Sequence, residues 1–215
     1  AQKKSVPARA AAKPDNTDSR SLRKQQLRIL HEDLLSRTVD SLKKMDEVAL
    51  RLSARNQILT YLWETKILTD RMEGGTHIQL IELRFGPQNQ ARMTLELMIP
   101  EGKGPFPVYL TQWNSRNWAQ LAVRRGYIGC VYAAADTKDD TQAYQALYPT
   151  YDFSALMRRA WGASRVVDYL LTRKEVNHDQ IAITGHSRNG KQSLWAAAFD
   201  ERISAVISSS CGTGG

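Results

Sequence analysis

The segment IAITGHSRNGKQSLW, residues 181–195, constrains the fold more than any other part of the chain. Residues 181–184 predict a short buried strand, and the residues after the serine predict a helix, so the chain must turn sharply between them. A serine on such a turn is the signature of a nucleophile elbow, which presents the hydroxyl to a carbonyl carbon. Residues 185–191 also fit G-x-x-x-x-G-K, the pattern of a phosphate-binding loop.

Two features of the segment favour the elbow over the phosphate-binding loop. A phosphate loop places Ser or Thr directly after its lysine to bind Mg²⁺, but here Gln192 follows and Ser193 comes one position too late. An elbow needs small residues two places before and after the serine, and Gly185 fills the first place. The second holds Asn189 where Gly is commonest, a modest departure because Asn tolerates tight backbone geometry. A third interpretation is a plain helix start in which Ser187 only caps the first turn.

Two cations, Arg188 and Lys191, lie in the first turn of the predicted helix. Cations there oppose the helix dipole, which favours negative charge at this end. Their position is explained if an anion or a developing oxyanion binds beside them. The alternative is that both side chains simply extend into solvent.

The remaining pattern predicts an α/β fold. Residues 77–85 and 91–99 alternate around GPQNQ, which predicts an antiparallel hairpin with one solvated face. Further strands are predicted at residues 66–72, 108–113, 127–136 and 203–209, and a helix at residues 153–171. We therefore expect a mostly parallel sheet with antiparallel first strands. No apolar run approaches the ~20 residues needed to span a bilayer.

The chain divides by composition into three parts. Residues 1–20 predict a disordered tail, residues 21–60 a helical extension, and residues 61–215 the α/β core. Residues 1–60 carry 13 Lys/Arg against 7 Asp/Glu, which accounts for most of the net charge of +8. No nucleic-acid module accompanies this charge, so we expect a solvated basic surface and no nucleic-acid partner.

The Ala-Gln start resembles the new N-terminus that remains after a leader peptide is cleaved, which favours a secreted or periplasmic protein.

The cysteine and histidine pattern predicts neither a disulfide nor a metal site. Cys130 and Cys211 both lie in apolar, strand-like runs, so we expect two buried free thiols. No cluster of Cys and His has zinc-binding spacing, and we expect no metal and no cofactor. The oligomeric state has no sequence signal.

The sequence GHSRNGK resembles the G-x-S-R-x-G-K signature of the glucuronoyl esterases, which have an α/β-hydrolase fold. RRGYIGCVYAAADTKDD and DFSALMRRAWGASRVVDYL also resemble this family and the related acetylxylan-esterase-like proteins. The resemblance spans residues 62–215, although the family more often has Cys where this chain has His186. It implies that Ser187 is the nucleophile, that Arg188 assists the oxyanion, and that Lys191 contacts sugar hydroxyls.

The resemblance also implies a substrate, because family members cleave esters of 4-O-methyl-glucuronic acid such as those linking xylan to lignin. In an α/β-hydrolase, the loop after the strand VYLTQW supplies the second oxyanion donor, which would place Trp113 and Asn114 near the site. The alternative is that this pair has a plain loop role. Two alternatives stay open: an acetylxylan or other carbohydrate acyl esterase, and a non-catalytic hydrolase-fold module that binds carbohydrate or protein.

The general base that a serine nucleophile needs has no candidate after the elbow. In this fold the order along the chain is serine, acid, histidine. The four histidines are His31, His77, His178 and His186, and all of them precede Ser187. We expect each of them to be structural or solvated.

The acidic candidates also precede the serine. Asp136, Asp139 and Asp140 follow a predicted strand at its carboxyl end, where we expect a solvated loop. The strand at residues 203–209 would be the sixth of eight in this fold. We therefore expect an incomplete core that is inactive alone, with the acid and the histidine contributed beyond Gly215.

Overall fold

The computed structural model describes residues 64–149 and 153–212, and the predictions for residues 1–20 and 21–60 lie outside these ranges. The strands are β1 (Glu64–Glu73), β2 (Thr76–Phe85), β3 (Ala91–Ile99), β4 (Phe106–Gln112), β5 (Ile128–Tyr132), β6 (Ala134–Ala135), β7 (Lys138–Asp139), β8 (Val176–His186) and β9 (Ala205–Ser209). The α-helices are α1 (Arg116–Val123), α2 (Tyr144–Leu147), α3 (Ala155–Leu170) and α4 (Arg188–Phe199).

Seven of these strands form one mixed sheet in the order β1-β2-β3-β5-β4-β8-β9. The pairs from β1 through β3 to β5 are antiparallel, and the pairs β5–β4, β4–β8 and β8–β9 are parallel. Five strands therefore point one way, and only β1 and β3 oppose them. The predicted mostly parallel sheet with antiparallel first strands is confirmed. Counted across the sheet from β2, β9 is the sixth strand, and β1 adds an edge strand whose residues are all exposed.

The sheet is covered on both faces at its centre. One face packs against α3 and α4 through a large apolar cluster, and the other packs against α1 through a smaller one. The smaller cluster joins Met98 of β3 and Val131 of β5 to Ala119 and Val123 of α1. The expected hairpin with one solvated face is therefore wrong for β3, because only Arg92 along this strand is exposed.

The sequence pattern gave no indication of α1, which connects β4 to β5. Two adjacent parallel strands need a crossover connection, and a helix is its usual form. In α1 the buried residues Ala119, Ala122 and Val123 recur at helical spacing. The helix is short, and its exposed positions hold both Asn117 and Leu121, so hydropathy does not separate a polar face from an apolar one.

Helix α4 is anchored to α3 by buried ion pairs at its far end. Arg202 places its guanidinium 2.6 Å from Asp200 Oδ2 and 2.6 Å from Asp168 Oδ1, and all three side chains are at most 5% exposed. Removing one partner of a buried pair costs ~3–5 kcal/mol because it leaves an uncompensated charge. This cluster therefore fixes the position of α4 relative to α3.

The cysteines are both free, as predicted, but only one is buried. Cys130 lies in β5 with no exposed surface, and burial raises the pKa of its thiol well above the usual range. Cys211 was expected in a buried strand, but β9 ends at Ser209 and this side chain is half-buried.

Among the described helices, within residues 64–149 and 153–212, none has the length and hydropathy of a membrane-spanning segment.

Candidate active site

Ser187 forms the turn between β8 and α4, alone and in a strained conformation. Strand β8 ends at His186 and α4 begins at Arg188, and between them Ser187 has φ 56° and ψ −125°. Positive φ is uncommon for residues other than glycine and persists only when the surroundings enforce it. The Ser187 hydroxyl makes no capping hydrogen bond, so the interpretation as a plain helix cap is wrong.

Two close backbone approaches enforce this turn. A Cβ on Gly185 would collide with the main-chain carbonyl of Asn189, and one on Gly190 would lie 2.9 Å from Gly185 O. The Ser187 N–H donates to Ser209 O of β9 at 2.8 Å. Glycine at these two positions lets α4 start directly against the end of β8.

The turn opens into a pocket of about 350 Å³ at the carboxyl edge of the parallel strands. Its lining residues are Asn114, Ser115, Asn117, Trp118, Asp136, His186, Ser187, Arg188 and Asn189. The Ser187 side chain is exposed to this pocket. Ligands of open α/β sheets bind at this edge, so the pocket is the candidate active site.

The loop after β4 reaches the pocket through only one of its two predicted residues. Asn114 lines the pocket and accepts a 2.8 Å hydrogen bond from Nδ2 of the buried Asn189 on α4. Trp113 instead packs against both apolar clusters, and Lys138 Nζ lies 3.9 Å from its ring centroid. The loop is therefore tied to the first turn of α4 by its asparagine.

The two predicted cations occupy different positions. Arg188 lines the pocket, is 70% exposed, and places Nη2 at 2.5 Å from Oδ2 of Asp136. Lys191 is half-buried one turn further along α4 and is not among the described residues that line the pocket. Only the arginine thus stands directly beside Ser187.

Asp139 and Asp140 do not form the solvated loop that was expected, although Asp136 remains 47% exposed. The Asp139 side chain is 2% exposed and accepts from Arg159 Nε at 2.7 Å. Asp140 is buried, and its Oδ2 accepts from the Thr94 N–H at 2.7 Å. Their position after a strand predicted that both side chains would be exposed to solvent. Instead, the carboxylates of Asp139 and Asp140 each accept a hydrogen bond from a buried donor.

A buried polar layer lies beneath the turn. Gln112 of β4 donates through Nε2 to Ser193 Oγ at 2.9 Å and to the Tyr132 hydroxyl at 3.3 Å. Gln192 donates to the same hydroxyl at 3.3 Å. Burial raises the pKa of Tyr132 to about 12, although both glutamine hydrogen bonds oppose the rise. Since Gln192 and Ser193 have no exposed surface, neither can reach a nucleotide-bound Mg²⁺, which argues against the phosphate-loop interpretation.

No histidine in the described ranges is hydrogen-bonded to the Ser187 hydroxyl. His77 pairs with Asp70 at 2.7 Å, and His178 lies 3.3 Å from the Arg173 carbonyl oxygen. His186 lines the pocket, but its Nδ1 faces Ser209 Oγ at 3.3 Å. No described histidine is therefore placed to accept a proton from the Ser187 hydroxyl.

The sequence from residue 86 to residue 215 matches the family model described as glucuronyl esterase of fungi, which covers more than half of the chain. The chain belongs to the glucuronyl esterase family. The resemblance drawn from GHSRNGK is therefore confirmed, and the strained turn at Ser187 lies inside the matched region.

Named proteins with similar sequences are consistent with membership of the glucuronyl esterase family. The 4-O-methyl-glucuronoyl methylesterase of Cerrena unicolor is 37% identical over 84 residues, which is 38% of this chain and 18% of that protein. The protein of the same name from Hypocrea jecorina (strain QM6a) is 34% identical over 120 residues, 53% of this chain and 26% of that protein. The matches thus span roughly a fifth to a quarter of these relatives.

A glucuronoyl esterase from Solibacter usitatus has a similar structure. It superposes with a TM-score of 0.58 at 20% identity, over 74% of this chain and 56% of that chain. At 20% sequence identity, this structural similarity supports the fold assignment only. It confirms the predicted α/β-hydrolase fold for this member of the glucuronyl esterase family.

The sequence pattern did not indicate how the pocket residues of this family member pair with one another. Asp136 and Asn189 were noted in the sequence, but their hydrogen-bond partners were not: these are Arg188 and Asn114, which lie 52 and 75 positions away in the chain. Trp118 reaches the pocket from α1, a helix that was not predicted. The requirement for a crossover between β4 and β5 could have indicated a helix there.

Proposed function

We propose that this protein is a serine carboxylic-ester hydrolase that acts on glucuronate esters of plant cell-wall xylan. The single observation that carries the proposal is the strained, exposed Ser187 on a glycine-bounded turn at the mouth of a pocket. A strained residue persists where the surrounding structure enforces it, and such residues concentrate at active sites. Membership of the glucuronyl esterase family gives the substrate class.

The proposed chemistry begins at the Ser187 hydroxyl. Ser187 Oγ attacks the ester carbonyl, and the negative charge that develops on the carbonyl oxygen needs preorganised donors. The N–H of Arg188 begins α4 and has no partner within the helix, and the Arg188 side chain lines the same pocket as Ser187. The loop holding Asn114 supplies the second donor. Collapse of the tetrahedral intermediate expels the alcohol, and water then releases the acid from the acyl-enzyme.

The proton of the Ser187 hydroxyl must go to a base. We propose a histidine outside residues 64–149 and 153–212, because none inside these ranges is hydrogen-bonded to Ser187 Oγ.

A polymer of the plant cell wall stays outside the cell, so this substrate class requires export of the protein. Activity in the culture supernatant or periplasmic fraction, rather than the cytoplasm, would support export.

The decisive experiment compares two serine variants in the full-length protein. Ser187→Ala should abolish turnover of a glucuronate methyl ester, because no nucleophile remains. The matched control is Ser204→Ala, which removes a hydroxyl at the other end of β9 that donates to Ile181 O at 3.1 Å. The control should keep the wild-type rate. Equal turnover by Ser187→Ala and wild type would reject the mechanism, and binding of glucuronoxylan without any turnover by the wild type would favour the non-catalytic module.

Lys191 distinguishes a glucuronate esterase from an acetylxylan esterase. If its ammonium reads sugar hydroxyls, Lys191→Ala should raise KM for a glucuronate ester and leave a small acetyl ester lacking the sugar almost unchanged. Arg188→Ala should instead lower kcat on both substrates by about 100-fold, the effect of losing one oxyanion donor. Equal loss on both substrates in Lys191→Ala, or faster turnover of acetylated xylan by the wild type, would contradict the substrate assignment.

A further inference from the structure

We propose that Asp136 is a positioning residue for Arg188, and that a buried arginine–aspartate pair behind it holds Asp136 in place. The inference rests on the proposed function of the Ser187 site and adds a residue to it. Four side chains, Arg188, Asp136, Arg159 and Asp139, form one continuous line of ion pairs from the pocket into the protein.

The line is exposed at the pocket and rigid at its inner end. Arg159 and Asp139 are 7% and 2% exposed, and Arg159 Nε lies 2.7 Å from Asp139 Oδ2. Asp139 Oδ1 also accepts from the N–H of Thr141 at 3.0 Å and from its hydroxyl at 2.5 Å. Hydrogen bonds to buried charged groups are among the stronger ones in proteins, so the inner pair is a fixed support.

Asp136 connects this support to the pocket through its two oxygens. Oδ1 accepts from Arg159 Nη2 at 3.0 Å, and Oδ2 accepts from Arg188 Nη2 at 2.5 Å. Both Asp136 and Arg188 line the pocket that Ser187 faces. The orientation of the exposed guanidinium is therefore set from the protein interior.

An exposed arginine needs such a support to serve as a donor. A free arginine side chain carries about 2 kcal/mol of rotamer entropy, which would have to be lost each time it met the oxyanion. The contact with Asp136 occupies only one of the five guanidinium N–H donors, so others remain for the substrate. Preorganised donors lower the barrier because they need not reorganise during the reaction.

The same geometry separates this role from that of a triad acid. An acid that orients a catalytic histidine must accept a hydrogen bond from the imidazole. Both oxygens of Asp136 already accept from guanidinium groups, and no described histidine is hydrogen-bonded to either of them. The structure thus favours an action through Arg188.

The test is a double-mutant cycle in the full-length protein, measured as kcat and KM on a glucuronate methyl ester. Asp136→Asn should lower kcat roughly 5-fold, the upper range for coupling through an exposed ion pair, with KM changing less. In an Arg188→Ala background the same substitution should change kcat by less than about 1.5-fold, because its target is gone. A purely structural role would give the same loss in both backgrounds.

Three outcomes would overturn the proposal. They are an unchanged kcat in Asp136→Asn, an equal loss in both backgrounds, and a loss of more than about 1,000-fold in both, which would indicate a triad acid. Should Asp136→Asn fold poorly by thermal unfolding, Asp136→Glu keeps the charge and displaces the carboxylate by one methylene, and its loss should likewise vanish without Arg188. Ser187→Ala is measured in parallel: if it remains active, the proposed function itself fails, whereas an inactive Ser187→Ala with an unaffected Asp136→Asn rejects only this inference.

Discussion

Gly185→Ala tests whether the turn at Ser187 depends on close backbone packing. A Cβ on Gly185 would overlap the carbonyl group of Asn189 and lie 2.7 Å from Gln112 Oε1. The main-chain atoms of Asn189 belong to α4 and cannot rotate away, so the helix start or the strand end must move by about 1 Å. Overpacking of this kind costs ~1–3 kcal/mol or more, and we expect the upper end of that range because the obstacle is backbone.

The assay has two readouts in the full-length protein. Urea unfolding should show a free energy of unfolding lower by about 3 kcal/mol at an unchanged m-value. Ester turnover should fall about 100-fold, since a misplacement of ~1 Å at the reacting atoms has that order of effect. The control is Gly162→Ala in α3, whose Cβ meets the flexible end of Met93 at 2.7 Å and Thr141 Cγ2 at 3.1 Å.

In the control, the gain of up to ~1 kcal/mol in helix propensity offsets the crowding, so its stability should stay within about 1 kcal/mol of wild type. A Gly185→Ala protein that is as stable and as active as this control would refute the steric argument.

Three further predictions concern stability and accessibility. Iodoacetamide should label Cys211 in the native protein and Cys130 only after unfolding, as read by mass spectrometry; rapid native labelling of the β5 thiol would contradict its burial. Burial raises the pKa of Tyr132 to about 12, so its contribution to stability is complete below the unfolded pKa and is lost as pH rises from 10 to 12. Tyr132→Phe should therefore reduce the loss of unfolding free energy between pH 9 and 11 by about 1 kcal/mol; an identical loss in both proteins would count against it. Asp140→Ala leaves the buried Thr94 N–H without its acceptor and should cost ~1–3 kcal/mol in urea unfolding, and an unshifted midpoint would show that this bond is dispensable.

The sequence predicted strands best where alternating apolar residues end at a turn-forming residue. Strand β3 was predicted with the observed bounds, because Pro100 follows its last residue. Strand β8 was predicted only at residues 181–184 but runs from Val176 to His186. Its first half contains exposed polar residues, which hydropathy alone does not distinguish from a loop.

At the candidate site, the residues proposed from the sequence either belong to one local motif or follow one predicted strand. Ser187 and Arg188 follow one another on the elbow, and Asn114 follows a strand that ends at the same edge of the sheet. The ion pair of Arg188 with Asp136 joins segments 52 residues apart, and no local pattern encodes that distance. Such pairs depend on how the crossover helices set the spacing of the strands, which only the folded chain shows.

The strained turn also has a consequence for the order of folding. The polar layer beneath it joins Gln112 to Ser193 across 81 positions, and the Asn114–Asn189 bond spans 75. Contacts of such long sequence separation carry a large loop-closure entropy and form after local ones. The Ser187 N–H also needs β9 in place to find its acceptor. We therefore expect the geometry of the turn to arise late in folding, so that a refolding molecule should regain its tryptophan fluorescence before a serine-directed phosphonate can label it.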